Sequence, residues 1–248
     1  MIAEVVRVTA RQLLGRRRTL LMSLLAVVPV LLALMYRLGG SESGSVRGDR
    51  EFLTGLFDAL LITLLLPLVA LLFGTAAFGA EIEDGTVIYL LAKPVGRLRL
   101  VLAKLVVAAG ATFVLVGGSI LSAGLIVLLG VPDGLGLVVG YLVGAASGAV
   151  LYGAVFVALS LVTGRALIAG LLYVLIWEGL LAGLFAGIRV LSIRQYVLGI
   201  ADAAGVGGRI TADTLPVGSA AALGAVVLVG AVVVALRRLQ SFEVPQAD

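Results

Sequence analysis

Residues 53–78 read LTGLFDALLITLLLPLVALLFGTAAF, and Asp58 is the only charged side chain in that run. The hydrocarbon core of a bilayer takes about 20 apolar helical residues to cross. A backbone in lipid must also satisfy its own N–H and C=O groups, which a helix does. The run is long enough and apolar enough to be a transmembrane helix. Five further runs have the same character: Thr19 to Leu38, Leu100 to Leu129, Leu135 to Val162, Ala166 to Gly187 and Val217 to Leu236. The fold class this predicts is all-α, a polytopic membrane protein of six transmembrane helices forming a single domain over residues 1–248. The third run is longer than a bilayer needs, which implies tilt or an extension into water.

Composition supports this reading. Of 248 residues, 61% are apolar and 13% charged, and the mean hydropathy is +1.21. Soluble domains carry about 25% charged residues, so this chain lacks the polar surface to face water all round. It has no Cys and no His, which excludes disulfides, thiol chemistry, His or Cys metal sites and His-activated nucleophiles. A membrane-embedded enzyme is disfavoured for the same reason, and because no carboxylates cluster within the runs. The net charge of +4 does not point to nucleic acid, since no basic stretch is interleaved with stacking aromatics. It follows instead the distribution of basic residues at helix ends.

Twelve of the 18 Lys and Arg residues fall on one side of the predicted bundle: Arg7, Arg11, Arg16, Arg17, Arg18, Lys93, Arg97, Arg99, Lys104, Arg165, Arg237 and Arg238. The other side holds Arg37, Arg47, Arg50, Arg189, Arg194 and Arg209. The positive-inside rule then places both termini in the cytoplasm of a plasma-membrane protein. The basic cluster Arg16-Arg17-Arg18 comes late, and a full-length span follows it without a small-residue cleavage site, so residues 1–18 do not read as a cleavable signal. Ile2, Val5, Val6 and Leu13 share one helical face, and Glu4, Arg7, Arg11 and Arg18 another. That pattern suits an interfacial helix with its cations at lipid headgroups, or else a plain extension of the first span.

Between the second and third runs, residues 81–97 read EIEDGTVIYLLAKPVGR. Glu81, Glu83 and Asp84 form an acidic cap, Asp84-Gly85 is a turn signal, and Thr86 is a good N-cap. Val87 to Lys93 can form a short helix with Val87, Leu90 and Leu91 on one face. Pro94 ends it, and Arg97, Arg99 and Lys104 lead back to the membrane. Physically this is either a docking unit for a cytoplasmic partner or an ordinary loop whose charges set topology.

The pattern Glu81, Glu83, Gly85, Thr86, Leu90, Leu91, Pro94, Arg97, with Lys104 at the head of the next span, resembles the signature of type-2 ABC transporter permeases. The layout of the whole chain is similar as well. The resemblance implies that residues 81–97 carry a coupling helix seated in a separate ATPase subunit. It implies two copies of that ATPase, and a second permease subunit, either another copy or a related chain. The chain itself carries no Walker A loop, because its only lysines, Lys93 and Lys104, each follow Ala. It is therefore not itself a P-loop ATPase and binds no cofactor of its own. ATP and Mg belong to the partner.

Other features bear on translocation. Gly136, Gly140, Gly144 and Gly148 recur every four residues, and Gly179, Gly183 and Gly187 repeat the spacing in the next run. Faces without side-chain bulk let another helix approach closely, as static packing or as a sliding surface. Glu178 lies inside the fifth run, where a carboxylate is costly and a functional role is the first hypothesis. It is placed on a translocation path, or it fixes packing. An ion-gradient-driven secondary transporter using Glu178 is the alternative function. Asp58 is expected near the outer interface without a specific role. The extracellular segment 188–216 is too polar in its second half to span. Its first half is expected to form a helix in the outer leaflet, and the resemblance implies a re-entrant or interfacial helix there.

Overall fold

The computed structural model describes residues 17–39, 45–83, 96–128, 134–181, 187, 189–205 and 214–241. Among them every regular element is helical. In chain order they are α1 (Arg17–Gly39), α2 (Val46–Gly55), the π-helical segment π1 (Leu56–Leu65), α3 (Leu66–Glu83), α4 (Arg97–Leu128), α5 (Gly134–Val162), α6 (Ala166–Leu172), π2 (Tyr173–Leu181), a 3₁₀ turn (Arg189–Leu191), α7 (Ile193–Ala204) and α8 (Val217–Ser241). The segments α2, π1 and α3 form one continuous helix, as do α6 and π2. The expected interfacial helix at 1–18 lies almost wholly outside the described residues, and the helix expected within 81–97 lies outside them.

Among the described residues, five helices are long and apolar enough to cross a membrane: Leu21–Gly39, Val46–Gly79, Arg97–Leu128, Gly134–Val162 and Val217–Ser241. Of the fifth expected span, drawn from 166 to 187, the described residues carry the apolar helix Ala166–Leu180, about 22 Å at 1.5 Å per residue. Residues 182–186 lie outside the described residues.

α5 is the axis of the bundle, packed against α3, α4, α7 and α8. Small residues set the approach. A Cβ on Gly74 of α3 would stand 2.7 Å from the Cβ of Phe156, and one on Gly148 would stand 2.5 Å from Leu66 Cδ2 and 2.8 Å from Val197 Cγ2. Backbones this close gain dispersion contacts that lipid tails cannot supply. α1 and α8 lie at the periphery, with only 17% of their most apolar windows buried. α1 is fixed to α4 where the Ser119 hydroxyl donates to the Ala26 carbonyl at 2.5 Å. It is fixed to α2 where Tyr36 stacks on Phe52 at 4.0 Å and donates to Asp49 at 3.1 Å.

Gly148→Val is expected to destabilise by about 1–3 kcal/mol through overpacking. That lowers the melting temperature in detergent by roughly 2–10 °C. Gly110→Ala, where an added Cβ meets nothing within 4 Å, should hold or slightly raise it. Thermal unfolding of the two variants beside the native chain checks the prediction.

Candidate functional site

Of the acidic cap, Glu81 and Glu83 lie in the last turn of α3. Asp84, Gly85, Thr86, Leu90, Leu91 and Pro94 lie outside the described residues. Arg97 opens α4 and is exposed. The structure adds a clamp behind this segment. Lys104, two turns into α4, is 1% exposed. Its ammonium donates to the Ala77 carbonyl of α3 and stands 4.4 Å from the centre of the Phe78 ring. A buried cation must be matched by acceptors or an aromatic face, or it costs several kcal/mol. The match ties α3, one turn before Glu81, to α4. Sequence reading placed Lys104 among cations leading back to the membrane. Its burial follows from how α3 and α4 pack, which no local pattern encodes.

The second polar centre is built around Glu178, which is 3% exposed. Its Oε1 accepts the backbone N–H of Ile193 at 2.9 Å and the Tyr173 hydroxyl at 3.1 Å. Its Oε2 accepts the Ser192 hydroxyl. Ile193 is the first residue of α7, and Ser192 holds the N-cap position with extended backbone but makes no side-chain cap of its own. A helix start leaves amide hydrogens without intrahelical partners and carries partial positive charge. Glu178 answers both from a different helix, so it acts as the N-cap of α7 in trans. Tyr152, fully buried, sits beside the same carboxylate.

Asp58 has a partner that the sequence did not reveal. Arg194, the second residue of α7, donates from Nη2 to Asp58 Oδ1 at 2.7 Å, with the two side chains 26% and 20% exposed. Asp58 lies in π1 and Glu178 in π2. The wide turns are visible where Leu66 N–H bonds the Leu61 carbonyl and Thr63 Oγ1 donates to the Asp58 carbonyl at 2.6 Å. Such i→i+5 segments are rare in helices and concentrate at functional positions. Three consecutive residues, Ser192, Ile193 and Arg194, are thus held by acids from two separate helices.

The glycine series meets α7 too. A Cβ on Gly144 would stand 2.8 Å from the Ala201 Cβ and 3.1 Å from the Val197 carbonyl oxygen. Gly140 is buried and Gly136 half-buried. The helix expected to rest in the outer leaflet instead packs inside, with Ile193, Tyr196, Val197, Leu198 and Ala201 buried. Its register runs against α5, because Val197 faces Gly144 and Gly148 while Ala201 faces Gly144. It runs antiparallel to α5. The second glycine series forms no comparable seam among the described residues. Gly179 is exposed, Gly187 faces open space, and Gly183 lies outside them.

Glu178→Leu is expected to cost about 1–3 kcal/mol for each buried donor left unmatched, read as a lower melting temperature. Glu178→Gln, which keeps one good acceptor oxygen, should lose less. Equal stability of Glu178→Leu and the native chain would remove the capping assignment.

A family model described as "ABC-2 family transporter protein" matches residues 14–185, which takes in α1 to π2, the segment 81–97, Asp58 and Glu178. A comparison with curated proteins finds no match. The family match spans well over half of the chain, which is a multi-pass membrane protein belonging to the ABC-2 transporter family.

Proposed function

We propose that the chain is the membrane-spanning permease subunit of an ATP-driven exporter, working with a separate ATPase. The observation that carries the proposal is the clamp behind residues 81–97. α3 and α4 flank that segment, and the Lys104 ammonium joins them one turn from the acidic residues. A partner pressing on the segment would therefore move both helices as a unit. The acidic, apolar and basic residues of 81–97 suit docking through charge at the rim and apolar contact at the centre. Two ATPase copies would bind ATP and Mg and close on one another. Glu81, Glu83, Asp84, Gly85, Thr86, Leu90, Leu91, Pro94 and Arg97 would receive the motion.

The end of the bundle with Arg97, Arg99, Arg165, Arg237 and Arg238 would face the cytoplasm, following the positive-inside rule. The lightly packed apolar faces of α1 and α8 leave surface for lipid and for a second permease subunit. Glu178 does not favour an ion-gradient mechanism. Its carboxylate is engaged by three donors of its own chain, whereas a transported ion or proton needs an acceptor that exchanges.

Tagged chain purified in mild detergent should carry a P-loop ATPase. Glu83→Arg should weaken that association at least about tenfold, the effect of roughly 1.4 kcal/mol at the interface. A preparation without any ATPase, or Glu83→Arg with unchanged association and transport, sinks the proposal.

A further inference from the structure

We propose that the Asp58–Arg194 ion pair is the link through which movement of the coupling segment reaches the helix α7, a role that rests on the permease reading above. The helix α2–π1–α3 is unbroken from Val46 to Glu83. Its lower end carries Glu81 and Glu83. Asp58 stands 25 residues away, up to about 37 Å along the axis at 1.5 Å per residue. The same helix that a partner would push on therefore grips α7 directly, at 2.7 Å and at partial burial. Charges withdrawn from bulk water attract more strongly than exposed ones, so the pair can transmit force rather than dissolve into solvent.

Three features of α7 make this link decisive for its position. Its contact with α5 seats the Val197 side chain between Gly144 and Gly148, and Gly199 packs closely on the Leu215 carbonyl and Ala220. Its N-terminus is held by acidic side chains of two other helices. There the two grips differ in origin: Asp58 comes from the helix joined to the coupling segment, and Glu178 from π2. Both lie in π-helical stretches. A one-residue change between π and α registers rotates the side chains beyond it without breaking the helix. Asp58 and Arg194 are positioning residues in this scheme, and neither touches substrate.

The chain has no cysteine, so two introduced cysteines report alone. Spin labels at Leu135→Cys, on the exposed start of α5, and Ala203→Cys, on the exposed last turn of α7, measure the position of α7 in the complex with the ATPase. The expected result is a change in label distance between the nucleotide-free and the ATP–vanadate-trapped complex. Asp58→Asn and Arg194→Gln should lose more than half of that change while ATP hydrolysis continues. Arg194→Lys should keep part of it, and the exchanged pair Asp58→Arg with Arg194→Asp should restore it. A full change in Asp58→Asn overturns the proposal, as does no change in the native complex. So does a loss that neither Arg194→Lys nor the exchange recovers in variants that melt as the native chain does. A chain that carries no ATPase removes the permease reading and this link with it, whereas an ATPase complex with an unaltered distance change removes this link alone.

Discussion

A helix that begins inside a membrane bundle brings unmatched amide hydrogens into a medium without water to receive them. That constraint governs α7. Its first N–H is matched by Glu178, the Gln195 N–H by the Ser192 carbonyl, and its cation at Arg194 by Asp58. Without those acceptors the start of α7 would bury an unmatched N–H and an unmatched cation, each at a desolvation cost.

The same economy appears at the opposite end. Lys104 is withdrawn from water yet matched by a carbonyl and an aromatic face. Between the two polar centres, Gly148 and Gly153 of α5 receive Leu66, Val197 and Leu105 side chains of its neighbours, and Phe156 of α5 fits against Gly74. The bundle is thus pinned by polar groups at two levels and closely packed in between.

Hydropathy alone made the class of fold legible. Runs such as 53–78 and 135–162 have no other physical outcome than apolar helices. The end of the fifth segment, drawn at Gly187, follows residues 182–186, which lie outside the described ones. Glu178 stood out for its cost, but its role depended on Ile193 and Ser192, which meet it only after the chain reverses. Asp58 was read by depth within its run. Its partner is 136 residues away, and no local pattern reports such a pairing. The π-helical turns were likewise invisible, since i→i+5 bonding arises from the tertiary demand on Asp58 and Glu178 and not from composition. Of residues 81–97, most lie outside the described residues, whereas the lysine that joins their flanking helices looked in the sequence like one more cation.

The two grips on α7 differ in what they require. Glu178 accepts a backbone N–H and a hydroxyl, so it would cap almost any helix that started at that point, provided a small polar residue preceded it. The Asp58–Arg194 pair demands a cation at one position and a carboxylate at another. The family match covers residues 14–185, which contain both carboxylates but neither of the α7 partners. The cap therefore permits α7 to start where it does, while a specific ion pair tunes how firmly it follows the lever. Folding and coupling are in this way assigned to different atoms: the cap makes α7 possible, and the ion pair makes it responsive.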